Sequence, residues 1–168
     1  SLKFLKGILL ANLSIAILGR PNVGKSTLFN RLVGSRKSIV SPIEGVTRDR
    51  IYSTFEWGGN NINVIDTGGF LPNEKDIMNK NIQDQAKLAI NESDIIIFLV
   101  DGLAEVTSSD RILSDILKRS QKPSVLAVNK IDTIAHDYNI NRFYELGLGE
   151  PVGISASHGR NVGYLLDV

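Results

Sequence analysis

The chain has 168 residues, the size of one domain with room for a full core. A formal charge of +1 is not the footprint of a strongly nucleic-acid-binding domain, and no run of about 18 residues is apolar enough to span a bilayer, so neither DNA nor a membrane is expected as a partner. Cysteine is absent, which excludes disulfides and cysteine-ligated zinc and fits a cytoplasmic location.

Ser1–Leu10 sets two lysines among apolar residues. Read as a signal peptide, Gly7–Leu18 would be its apolar core, but cleavage there would remove the strand that the next loop needs. Residues 1–12 are therefore expected to be an upstream extension or a segment left by cloning, with the folded domain running over residues 13–168. Leu13–Leu18 reads as a buried strand and Lys25–Val33 as a helix. Ser35–Arg50, polar and holding Pro42 and Gly45, reads as a long loop. Ile51–Trp57 and Asn61–Asp66 flank Gly58-Gly59-Asn60, a hairpin signal. Lys80–Asn91 has helical apolar spacing. Asp94–Asp101 is the continuous apolar run of a strand buried on both faces. Ser109–Ser120 predicts a helix, Ser124–Asn129 a buried strand, Asn139–Leu146 a short helix and Val152–Ser155 a short last strand. Asn161–Val168 begins a helix and stops, as in a fragment of a longer protein.

Alternating strands and helices predict an α/β fold with a mostly parallel, six-stranded sheet, helices on both faces and one antiparallel edge strand. Ligands of such sheets sit at the carboxyl ends of the strands. Gly19, Asp66, Asp101, Asn129 and Ser155 all fall at such ends, so distant motifs should meet around one pocket.

Gly19-Arg20-Pro21-Asn22-Val23-Gly24-Lys25-Ser26, followed by Thr27, is a G-x-x-x-x-G-K-S loop between a strand and a helix. Its glycines let successive N–H groups face phosphate oxygens, and the helix adds its positive end. Lys25 would meet the outer phosphates and the Ser26 hydroxyl a Mg²⁺ ion. Asp66-Thr67-Gly68-Gly69 closes a strand, where Asp66 would hold the Mg²⁺ shell and the Gly69 N–H the γ-phosphate. Thr47, in the long loop, would complete that shell and sense the γ-phosphate. Asn129-Lys130-Ile131-Asp132 selects guanine over adenine. Asp132 would accept hydrogen bonds from N1–H and the 2-amino group, and adenine offers neither donor, leaving the carboxylate unpaired. The stem of Lys130 would lie along base and glycine loop. Backbone N–H groups of Ser155-Ala156-Ser157, that of Ala156 above all, would meet guanine O6. Together these motifs predict a P-loop NTPase of the Ras-like G-domain class that takes GTP and GDP.

These residues resemble the EngA/Der family of bacterial GTPases, which carry two such domains in tandem. The resemblance runs from about Leu13 to the end, through Gly19–Leu32, Gly45–Arg50, Asp66–Phe70, Asn129–Asp132 and Ser155–Asp167. Asp66-Thr67-Gly68-Gly69 with Thr47-Arg48-Asp49-Arg50 resembles the first of the two domains. The resemblance implies a GTP-hydrolysing switch acting in assembly of the large ribosomal subunit, with a second GTPase domain in the full-length chain. It also bears on mechanism. Phe70 stands where Ras-like enzymes place a water-orienting glutamine, which implies slow intrinsic hydrolysis with water held by backbone and loop groups. Asn22 stands where similar GTPases ligate K⁺ beside the phosphates, a cation that would act as an arginine finger does. Asn22, Lys25, Thr47 and Gly69 are thus the expected catalytic set, and Ser26, Thr47, Asp66 and Asn22 the expected metal ligands. A nucleotide-gated docking module is the rival reading, and a P-loop kinase or ATPase fails on Asp132.

Overall fold

The computed structural model describes residues 13–34, 51–57, 60–67 and 75–167. In chain order these give β1 (Leu13–Leu18), α1 (Lys25–Val33), β2 (Ile51–Trp57), β3 (Asn60–Asp66), α2 (Lys75–Glu92), β4 (Ile95–Asp101), α3 (Ser108–Ser120) and β5 (Ser124–Asn129). A 3-10 helix (Ile134–Leu146), β6 (Val152–Gly153) and α4 (Val162–Asp167) follow. The six strands form one sheet in the order β2-β3-β1-β4-β5-β6. Every pairing is parallel except that of edge strand β2 with β3, which is the predicted architecture.

The alternation of side chains along each strand sorts the core into two halves. Ile15 and Ile17 of β1 face one way, into a cluster with Leu28 and Phe29 of α1 and Leu165 and Leu166 of α4. Ala16 and Leu18 face the other way, against Ala86 of α2, Leu113 and Leu117 of α3 and Phe143 of the 3-10 helix. Ile95–Val100 is buried throughout, because β4 lies mid-sheet with both faces covered. Each fully buried aliphatic side chain of these clusters contributes about 1.5–3 kcal/mol.

Several local expectations change. The helix predicted over Asn139–Leu146 is the 3-10 helix Ile134–Leu146, longer than such runs usually are. It is held from outside. Arg142 donates to Ala104 O and to Glu105, both at 3.1 Å, and Arg160 donates to Asp137 Oδ1 at 3.1 Å. The last strand pairs with β5 only over Val152–Gly153, and Ser155 then bridges to Arg160 as the chain turns back. His136, near the start of that 3-10 helix, is half-buried, with its Nδ1 sealed from water. α3 starts one residue earlier than predicted, because Thr107 and Asp110 form a reciprocal capping box.

Candidate nucleotide site

β1, β3, β4, β5 and β6 run parallel, so their carboxyl ends open on one side of the sheet. Gly19–Gly24 leaves β1 there and enters α1. Asn22 (φ 68°) and Gly24 (φ 103°) are left-handed, which curls the loop. Gly24 caps α1 with no side-chain hydrogen bond, so no side chain takes up the first N–H groups of the helix. Glycine is required at Gly24. A Cβ there would lie 2.2 Å from Asn129 Nδ2, at a φ that side chains rarely adopt. Gly24→Ala is expected to lower stability by about 2–4 kcal/mol and to weaken nucleotide binding with it, as read by thermal melting and GDP titration.

Lys25 is buried, and its Nζ donates to Gly19 O at 2.5 Å and Arg20 O at 3.0 Å. Burial pushes its pKa down to about 8. The Asp66 carboxylate opposes that shift and the Arg20 guanidinium adds to it. Ser26 Oγ donates to Asp66 Oδ2 at 3.2 Å. Asp66 is fully buried at the end of β3, and the next residue, Thr67, donates its hydroxyl to Ile17 O at 2.8 Å. A hydroxyl and a carboxylate converging beside a cationic loop fit Mg²⁺, which takes one or two protein oxygens and fills its octahedron with phosphate and water.

The guanine-type motif joins this end of the sheet through Asn129. Its Nδ2 donates to Val23 O at 2.8 Å, and its Oδ1 accepts the Ala156 N–H at 3.0 Å. One buried amide thus ties the phosphate-type loop to the turn after β6. Lys130, left-handed at φ 67°, donates to Asn22 O at 3.3 Å and to Asp101 Oδ2 at 2.7 Å. Asp132 is half-buried, and its Oδ1 accepts the Ser155 hydroxyl at 2.6 Å. Ser155 Oγ in turn accepts the His158 N–H at 3.2 Å. These bonds orient the carboxylate before any base arrives.

The sites named from sequence divide accordingly. Gly19, Arg20, Asn22, Gly24, Lys25, Ser26, Asp66, Asn129, Lys130, Asp132, Ser155 and Ala156 are brought to one end of the sheet. Thr27 and Ser157 are exposed at its margin, and Pro21 is half-exposed. Val23 and Ile131 are turned into the two cores, so each offers a ligand its backbone only. The Ala156 N–H, expected at guanine O6, donates to Asn129 here. Thr47, Gly68, Gly69 and Phe70, with Arg48 and Arg50, lie outside the described residues.

Three side chains support the site from outside its motifs. Asp101 holds Lys130 in an ion pair. Asp110, 1% exposed, sits 3.5 Å from Arg20 Nε and links the glycine loop to α3. Arg31 reaches from α1 to the carbonyls of Ala156 and Ser157.

The sheet order, the glycine loop entering α1 and the ring of strand ends define a P-loop GTPase G domain. Comparison with solved structures agrees. Era of Aquifex aeolicus bound to GDP·AlF4⁻ superposes with a TM-score of 0.73 at 31% identity, over 94% of this chain and 56% of that one. The G domain of the T. maritima FeoB iron transporter gives 0.65 at 25% identity, over 93% and 95%. Residues 14–130 match the family described as 50S ribosome-binding GTPases, and the chain belongs to that family. It is 54% identical over 154 residues to GTPase Der of Caldicellulosiruptor saccharolyticus, and 53% identical over 153 residues to GTPase Der of Clostridium novyi. The match takes in 92% and 91% of this chain but 35% of either relative, so the chain spans about a third of their length.

Proposed function

We propose that this G domain binds GTP and GDP and hydrolyses GTP to GDP and phosphate as a molecular switch. The observation that carries the reading is the Asn129 amide, bonded at once to Val23 O and to the Ala156 N–H. It sets a phosphate-binding loop and a base-reading carboxylate, Asp132, at one end of the sheet. The curled backbone of Gly19–Gly24 and the uncapped start of α1 bind the phosphates. Lys25 exchanges its two carbonyl partners for β- and γ-phosphate oxygens. Asp132 accepts from guanine N1–H and the 2-amino group. The stem of Lys130 lies along the base, and the Ser157 N–H, whose neighbours at 155 and 156 donate to Arg160 O and Asn129 Oδ1, meets O6.

Ser26 and Asp66, with Thr47, would hold Mg²⁺, which neutralises charge on the transferred phosphoryl group. Thr47 senses the γ-phosphate, the Gly69 N–H holds it, and loss of these contacts releases the switch loop. Phe70 can neither orient nor deprotonate water, so the intrinsic rate is slow. The exposed Asn22 side chain, with carbonyls from residues 35–47, would hold K⁺, whose positive charge would stabilise the transition state and make hydrolysis K⁺-stimulated. The family description, Der among the relatives and the sequence motifs support a role on the large ribosomal subunit, cytoplasmic, with a second GTPase domain in the full-length protein.

The test is steady-state GTP hydrolysis in KCl against NaCl at equal ionic strength, for the wild type and Asn22→Ala. Stimulation by K⁺ alone is expected, about tenfold or more, and lost in the variant while GDP affinity stays within about threefold. Equal low rates in both salts with tight GTP binding would remove the K⁺ mechanism and leave a nucleotide-gated docking module.

A further inference from the structure

We infer that Arg31 is a positioning residue for guanine recognition, acting through the loop after β6 rather than by touching the nucleotide. The inference rests on the GTP-binding reading above. Arg31 lies in the last turn of α1, on the helix whose first turn carries Lys25 and Ser26. Its Nε donates to Ala156 O at 3.0 Å and its Nη2 to Ser157 O at 2.5 Å. One rigid, planar guanidinium therefore grips two successive carbonyls.

A trans peptide points its C=O and N–H in opposite directions. Fixing Ala156 O towards α1 turns the Ser157 N–H away from the guanidinium. Fixing Ser157 O turns the His158 N–H away likewise, and that group is indeed found on Ser155 Oγ at 3.2 Å. The same Ser155 hydroxyl donates to Asp132. Arg31 thus decides how the 156–157 peptide, which carries the Ser157 N–H to O6, is turned, and through Ser155 it supports the carboxylate that reads the neighbouring N1–H and 2-amino groups on the same edge of the base. Gly159 shows the fit. It is left-handed at φ 75°, and a Cβ there would lie 3.4 Å from Arg31 Nη1. A lysine in this place would supply a point charge without the two-pronged geometry, so it would hold the loop less firmly.

α1 then carries a device at each end: phosphate-binding groups in its first turn and a clamp on the base-reading loop in its last. Guanine affinity should depend on that clamp, and phosphate affinity should not. The test uses this chain with GDP and 6-thio-GDP, whose sulfur is a poor acceptor at the place of O6. For Arg31→Ala, GDP affinity is expected to fall about tenfold with a faster off-rate, whereas 6-thio-GDP, already lacking a good O6 contact, falls less than about threefold. Arg31→Lys is expected to lie between wild type and alanine. Thermal melting of both variants without nucleotide checks that each is folded, and the lysine variant carries the test if the alanine variant is not. Equal losses for the two ligands, or unchanged GDP affinity, would overturn the role of Arg31. A wild type that binds ADP as well as GDP would instead overturn the guanine reading on which it rests.

Discussion

Lys25→Ala is expected to weaken GTP binding at least about a hundredfold, because it removes the ammonium and with it charge-assisted bonds to the β- and γ-phosphates; GDP, which keeps only the β-phosphate, should lose less. The same residue makes binding sensitive to pH. Without nucleotide its pKa is about 8, against an ordinary 10.5, through burial against only partial support from Asp66. Phosphates beside the ammonium favour its charged form, so the bound state has the higher pKa. Above pH 8 the free protein has begun to lose this proton and binding must restore it. Affinity therefore falls as pH rises past 8, by at most about tenfold per unit. Calorimetric GDP titration in two buffers of different ionisation heat should show proton uptake above pH 8 and little below about pH 7. Lys25→Met should bind weakly and without that uptake. Stability without ligand runs the other way. Between about 8 and 10.5 the unfolded chain holds more protons than the folded one, so this residue makes stability rise with pH across that window. A flat profile for both would mean that burial does not lower the pKa of Lys25, and undiminished GTP affinity in Lys25→Ala would mean that it is not at the phosphates.

The second large effect belongs to Asp132. In Asp132→Asn the side-chain oxygen that accepts from Ser155 survives, so the local fold should persist. What is lost is an acceptor, replaced by an N–H₂ donor that faces the guanine 2-amino group. GDP affinity should fall by about a hundredfold. Xanthosine diphosphate carries a carbonyl at that place and should gain, so the preference between the two nucleotides should reverse. Competition of each against a fluorescent diphosphate would measure it. Undiminished preference for GDP would mean that the base is read elsewhere.

How far the sequence disclosed these features follows from their range. The glycine loop, the carboxylate ending β3 and the Asn129–Asp132 motif were legible because each demand is local: a curled backbone, a strand end, a carboxylate at a fixed offset. The sheet was legible for a similar reason, since β4 and β5 read as unbroken apolar runs and the hairpin announced the antiparallel edge. The clamps were not. Arg31 is separated from Ala156 by a |i−j| of 125, and Lys130 from Asp101 by 29. An exposed arginine on a helix and an aspartate at a strand end look like ordinary surface charges until the chain is folded. Arg20 was named only as a loop residue, although its buried partner Asp110 forms a capping box with Thr107 that the spacing of the two residues displays. The 3-10 helix eluded the pattern because its turns are held by Arg142 and Arg160 rather than by an amphipathic period.

The chain contains one tryptophan, Trp57, on edge strand β2. Its indole N–H donates to Asp167 Oδ1 at 3.2 Å, and its ring lies over Gly163, so α4 rests against it. A lone indole wedged between the sheet edge and the last described helix is an optical probe built into the fold. Its emission has no second tryptophan to average against, so a red shift would record water reaching the contact between β2 and α4. Fluorescence can then time the detachment of that helix separately from loss of the central strands, which far-ultraviolet dichroism follows. β2 begins at Ile51, four residues after Thr47, so the same signal would test whether events at the proposed nucleotide site are felt at the far end of this strand.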